Sequence, residues 1–114
     1  MYIAGVEDLT TSQADITKAL RNTKKPTILL THSPDIFPNI PNNVFLTLAG
    51  HTHGGQIRIP MIGALIVPSD FGNKYSYGLV NENDKSMIIT KGIGTSILPV
   101  RFCCFPEILV INFV

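Results

Sequence analysis

At 114 residues the chain is long enough for one domain and too short for two, and 45% hydrophobic against 15% charged residues gives it a core to bury. That balance excludes an intrinsically disordered segment. A formal charge of +1, with Lys24-Lys25 the one adjacent basic pair, excludes a nucleic-acid footprint.

The chain opens in apolar sequence, Tyr2-Ile3-Ala4-Gly5-Val6, which predicts a short strand. No cap or linker stands ahead of it, so the opening reads as the interior of a larger domain. Thr10 to Asp15 predicts a helix start, with Ser12 as N-cap and an acid in the first turn. Ile16, Ala19 and Leu20 recur at helical spacing, and Lys24-Lys25-Pro26 closes the helix. Thr27 to Thr31 (TILLT) is a continuous apolar, β-branched run that predicts a strand covered on both faces. His32-Ser33-Pro34-Asp35 follows, with Asp35 read as a turn former or helix cap.

Beyond a Pro- and Asn-rich connection, Val44 to Ala49 predicts a second buried strand, and it too ends at histidine, in Gly50-His51-Thr52-His53-Gly54-Gly55. After Gly55 the sequence is β-rich. Gln56 to Pro60, Ala64 to Val67, Tyr77 to Val80, Met87 to Thr90 and Glu107 to Phe113 read as short strands separated by Gly, Pro, Asn and Asp. The adjacent Cys103 and Cys104 read as a reduced, mostly buried pair, since neighbours rarely reach relaxed disulfide geometry. The most apolar stretch, Phe102 to Val114, contains Pro106, Glu107 and Asn112, is too short to cross a bilayer and reads as a buried final strand. No signal or transit pattern is visible, so the expected location is cytoplasmic. The predicted fold class is mixed α/β: a β-α-β-β unit followed by strands, one layer of a larger sandwich.

The three histidines carry the chemistry. His32 directly follows one apolar strand; His51 and His53 follow the next. Parallel neighbouring strands present the loops at their carboxyl ends to a common crevice, the usual ligand site of open α/β sheets. Three neutral imidazoles there would form a donor set suited to zinc, iron, manganese or nickel. Gly50, Gly54 and Gly55 bracket the His-x-His and open turn conformations that aiming two rings at one small volume requires. The pattern by itself leaves the reaction open, a mononuclear three-histidine zinc site included.

His32 in Leu29-Leu30-Thr31-His32-Ser33-Pro34-Asp35, followed by Gly50-His51-Thr52-His53-Gly54-Gly55-Gln56, resembles the last two blocks of the calcineurin-like metallophosphoesterases. Gly5-Val6-Glu7-Asp8, Ile57 to Pro60, Tyr75-Ser76-Tyr77-Gly78, Lys91 to Ser96 and Pro99 to Phe102 are similar to the bacterial phosphodiesterase branch that includes UDP-diacylglucosamine hydrolases. The resemblance implies that residues 1–114 are the C-terminal half of a metallophosphoesterase sandwich flanked by helices. It further implies that His32 and His51 serve one divalent ion and His53 a second, in a dinuclear centre of Mn, Fe, Zn or Ni. The substrate would be a phosphorylated small molecule or a lipid-linked one, and the full-length protein could be peripheral to a membrane.

The family's earlier blocks, Asp-x-His, Gly-Asp and Gly-Asn-His-Asp/Glu, have no match. Asp8, Asp15, Asp35, Asp70 and Asp84 stand in none of them. The chain alone is therefore expected to be inactive or nearly so, with a separate chain carrying the N-terminal half as a possible partner. The alternative is a non-catalytic, metal-binding remnant of a split gene. Arg58 and Arg101 are candidate phosphate partners and Tyr75 a candidate donor, against bracing for Arg101 and packing for Tyr75. Thr52 is a candidate for orienting a neighbouring ligand.

Overall fold

The computed structural model describes residues 1–11 and 13–114. Four strands pair in parallel: β1 (Tyr2–Gly5), β2 (Thr27–Leu30) and β3 (Leu46–Ala49) in that order, then β7 (Lys85–Ile89). The last strand, β6 (Gly78–Glu82), pairs antiparallel with β7 through a two-residue hairpin. Its turn residues Asn83 and Asp84 have φ of 50° and 61°, the mirror-image turn whose twist suits a hairpin. A second ribbon of β4 (Arg58–Ile59) and β5 (Gly63–Ala64) lies apart from this sheet. The fold is mixed α/β with few helices.

The α-helix among the described residues, α1 (Ile16–Leu20), is shorter than its periodicity predicts, because Arg21 already caps it. Its N-cap is Asp15, whose carboxylate accepts from the Lys18 amide at 2.8 Å. The predicted cap, Ser12, lies outside the described residues. Between β2 and β3, Pro34–Asn39 forms a 3₁₀ helix capped by Ser33. It lays Ile36 and Phe37 on the sheet, where they join Leu29, Met87, Ile89 and Tyr75 in the core.

That core occupies one face. The prediction that β2 is covered on both faces holds for most of the strand: Leu29 on one face and Ile28 on the other are buried, and only Leu30, at the end of β2, is 43% exposed. A larger correction concerns the C-terminal run. Glu107 to Phe113 forms no strand, and Ile108 and Val110 stand in solvent. Hydrophobicity favours burial, but a strand also needs a free edge. The segment crosses β3 and β7, lining a groove with Leu48, Ile88 and Thr90, and both edges of those two strands are already paired. The strands predicted at 56–60 and 64–67 shrink to the two-residue β4 and β5.

What anchors the C-terminal segment is polar. Glu107 accepts the Lys91 amide at 2.9 Å and pairs with the Lys91 ammonium at 3.0 Å, while its own amide donates to the Gly92 carbonyl. Burial pushes the Glu107 carboxyl up, but the Lys91 amide and ammonium outweigh it and hold it below the usual glutamate value of 4.5. A depressed carboxylate contributes stability above its unfolded-state pKa and loses it as pH falls through the folded one. The anchor should therefore release only below about pH 4.5. Thermal midpoints measured between pH 6 and pH 3 should fall more steeply for the wild-type chain than for Glu107→Gln. Parallel slopes would remove the anchor's role.

Candidate metal centre

Parallel pairing places the carboxyl ends of β1, β2, β3 and β7 on one edge of the sheet, and the ladder continues beyond the strands. The Val6 amide donates to the Leu30 carbonyl at 3.1 Å, Thr31 to Leu48 at 3.0 Å, Gly50 to His32 at 3.2 Å and Thr90 to Ala49 at 3.0 Å. These bonds lock the loop after each strand to its neighbour. The Gly50–His32 bond in particular fixes the residue before His51 to the backbone of His32. As a result the rings of His32 and His51 lie 4.6 Å apart between centroids, tilted by 57°.

His51 and His53 both sit at positive φ, 69° and 50°. For non-glycine residues this conformation is uncommon and costs of order 1–3 kcal/mol each, and Gln56 (φ 50°) shares it at the end of the same turn. Gly54 (φ 63°) and Gly55 (φ 78°) continue the tight turn. At Gly54 a Cβ would stand 2.6 Å from Lys91 Cγ and 2.7 Å from Cys104 Sγ, so only glycine fits. Thr52, 1% exposed, fastens the turn from beneath: its hydroxyl donates to the Ser76 carbonyl at 2.6 Å. Arg58 supports it from the side, donating to the Gly54 carbonyl at 2.8 Å with its guanidinium 4.7 Å over the Tyr77 ring.

His53 Nδ1 lies 3.4 Å from the Gly94 carbonyl, in the loop after β7. The structure thus brings His32 and His51 together and sets His53 against the 91–94 loop. Among the described residues no group of three or more His, Cys, Asp or Glu side chains is close enough to hold one ion.

The sequence reading passed over Asp8. It follows β1 at the same edge where His32 follows β2 and His51 follows β3, and that equivalence of place was the signal available. Two bonds from Thr10 hold its carboxyl below the usual aspartate range, and the nearby His32 and His51 imidazoles lower it further. Two imidazole nitrogens are donor types that borderline divalent metals take, and the Asp8 carboxylate nearby is another, though it is not close enough to complete a group of three. The donor chemistry fits, while the donor count is short of a closed site.

The remaining candidates divide. Tyr75 is corrected by the structure: its ring is fully buried against Phe37 and Phe71, and its hydroxyl is bonded to Glu82 at 3.0 Å, so it has no surface to offer a substrate. Burial pushes the Tyr75 phenol up, and Glu82 reinforces that shift. Arg101 directs its guanidinium at backbone carbonyls rather than outward. Asp35 is a cross-link, accepting from Ser69 Oγ at 2.5 Å and the Asp70 amide at 2.8 Å. Cys104 is buried beside the His53 and Gly54 carbonyls, whereas Cys103 is exposed, which halves the expected buried pair. No helix among the described residues is long and apolar enough to cross a membrane.

Over 95% of its length the chain is 36% identical to the uncharacterized metallophosphoesterase YkuE of Bacillus subtilis (strain 168), covering 38% of that protein. It is 33% identical to the phosphodiesterase YaeI of Escherichia coli (strain K12) over 78% of this chain and 33% of the relative. An uncharacterized metallophosphoesterase of Aquifex aeolicus (strain VF5) is 33% identical over 98% of this chain and 45% of the relative. The chain thus spans less than half the length of these curated relatives. No protein-family model matches it, and no solved structure does.

Proposed function

Because the chain belongs to the calcineurin-like metallophosphoesterase family, whose members use divalent metal ions, we propose that it is the histidine-bearing part of a metal-dependent phosphoesterase. The observation that carries this reading is the His32–His51 ring pair, held at adjoining strand ends by the Gly50–His32 backbone bond. In this reading His32 and His51 bind one ion and His53 binds a second. The five-stranded sheet is one layer of a sandwich, and the remaining carboxylate ligands come from a segment or chain outside residues 1–114. The bonds cleaved are those of phosphomonoesters, phosphodiesters or pyrophosphates, in a small or lipid-linked substrate.

When bound, two such ions supply positive charge to the phosphoryl group and a nucleophilic water at neutral pH. The chain's own contribution is positional. Neutral imidazoles from His32 and His51 leave the ions' charge uncancelled, so it remains available to the phosphate. The left-handed run from His53 to Gly55, tied down by Thr52 and Arg58, fixes the backbone that carries His53. Asp8 adds negative charge beside His32 and His51.

Cobalt(II) titration followed by visible absorption tests this reading. His32→Ala and His51→Ala should each weaken binding at least tenfold, while hydrolysis of bis(p-nitrophenyl) phosphate with manganese stays near background for every variant of the chain alone. Unchanged cobalt affinity in both variants would remove the ring pair from the site. Strong turnover by the wild-type chain alone would overturn the proposal that further ligands are needed.

A further inference from the structure

Arg101 is half-buried and lies far along the chain from the histidines, yet its guanidinium gathers carbonyls from three separate segments around His53. Nη1 donates to the His53 carbonyl at 3.3 Å and the Cys104 carbonyl at 3.2 Å. Nη2 donates to Lys91 at 2.7 Å, Gly92 at 3.2 Å and Gly94 at 2.6 Å, and Nε donates to Gly94 at 3.1 Å. The Gly94 carbonyl therefore receives two N–H groups from one edge of the planar guanidinium, and it is the same carbonyl that His53 Nδ1 faces.

A carbonyl oxygen can only accept. A hydrogen bond between it and Nδ1 requires the proton on Nδ1, which leaves the Nε2 lone pair bare. Which ring nitrogen of a histidine is free to bind a metal is set by the bond that the other nitrogen makes, usually to a carbonyl or carboxylate. The loop holding Gly94 has no ladder of its own: residues 93–100 are exposed and irregular. Glu107 and Thr90 tie down residues 91 and 92, but at Gly94 itself the carbonyl is met by Arg101 and the His53 ring.

We propose that Arg101 is the positioning residue of His53: by clamping the Gly94 carbonyl against Nδ1 and holding the His53 carbonyl in the same fork, it fixes the ring as the Nδ1–H tautomer with Nε2 presented to the metal position. The metal half of this statement rests on the function proposed above; the tautomer half does not. Only a planar group with five diverging N–H bonds can reach all these acceptors, so lysine is not an equivalent.

Long-range proton–nitrogen NMR of the metal-free 114-residue chain, recorded where histidines are neutral, reads the tautomer directly. His53 should be Nδ1–H in the wild type and should drift to a tautomer mixture in Arg101→Lys, with His32 and His51 signals unmoved. An Nε2–H His53 in the wild type overturns the proposal even if every variant misfolds. So does a folded Arg101→Lys chain whose His53 keeps the wild-type tautomer. Cobalt(II) alone then tests the site beneath: affinity about tenfold lower in Arg101→Lys accords with lost ligand orientation. A shifted tautomer with unchanged cobalt affinity upholds the positioning and overturns the metal role of His53.

Discussion

Gly55→Ala is expected to destabilise the chain by about 4 kcal/mol, enough to abolish the folded His53 turn, whereas Gly72→Ala should cost about 1 kcal/mol. Both glycines are left-handed, with φ of 78° and 56°, so both substitutions carry the backbone penalty of a Cβ in that region. They differ in space. At Gly72 nothing stands within 4 Å of the added carbon. At Gly55 it would overlap the Ala64 Cβ and come within 3.3 Å of the Ile66 carbonyl. Ala64 is 5% exposed and paired in β5, so it cannot swing aside as a long side chain would. A domain of this size holds a net stability of about 5–15 kcal/mol, so the larger loss removes much of it. Urea midpoints at constant slope decide the matter, and equal losses at the two positions would mean that the turn does not pack on β5 as described.

The two strand-end histidines were legible because their signal is local. An apolar run of strand length followed at once by histidine, twice over, needs only parallel pairing to bring His32 and His51 to one edge, and Ile28↔Leu46 with Leu30↔Leu48 provides it. The family resemblance lay in the same residues. What stayed hidden depends on contacts between distant parts of the chain. His53 meets Gly94 and Arg101 meets His53 across 41 and 48 residues, and no periodicity encodes such meetings. Asp8 falls between: its place after β1 repeats that of the histidines, but a motif-based reading set it aside because it stood in no ligand block. The final apolar run misled because hydrophobic sequence reports a wish for burial and says nothing about whether a sheet edge is open to receive it.

Lys85 shows the same limit and carries the other large prediction. A lysine at the start of a strand reads as solvated, yet this one is 7% exposed and donates to the carbonyls of Phe37, Pro38 and Ile40 at 3.0, 3.1 and 3.0 Å. Those carbonyls close the Pro34–Asn39 helix; the Phe37 carbonyl already accepts the Ile40 amide at 3.1 Å, and Lys85 adds bonds to it and to the Pro38 and Ile40 carbonyls beyond it. A compact ammonium with three donors suits such an end, and its charge opposes the helix dipole favourably. The Phe37 ring lies 5.1 Å from the same ammonium. Lys85→Met keeps the apolar stem and removes all three donors, and should cost about 3 kcal/mol. Lys85→Ala should cost more, since it also leaves a gap against the core segment that lays Ile36 and Phe37 on the sheet. The outcome turns on two opposed terms: the expense of stripping water from the ammonium, and the three carbonyl bonds gained in return. If Lys85→Met proves neutral in urea unfolding, desolvation cancels the bonds and the lysine serves only to specify where the 34–39 helix docks. A loss near the predicted size means that the bonds win, and that the loop between β2 and β3, and with it the exit of β2 toward His32, is held from below by a single buried cation.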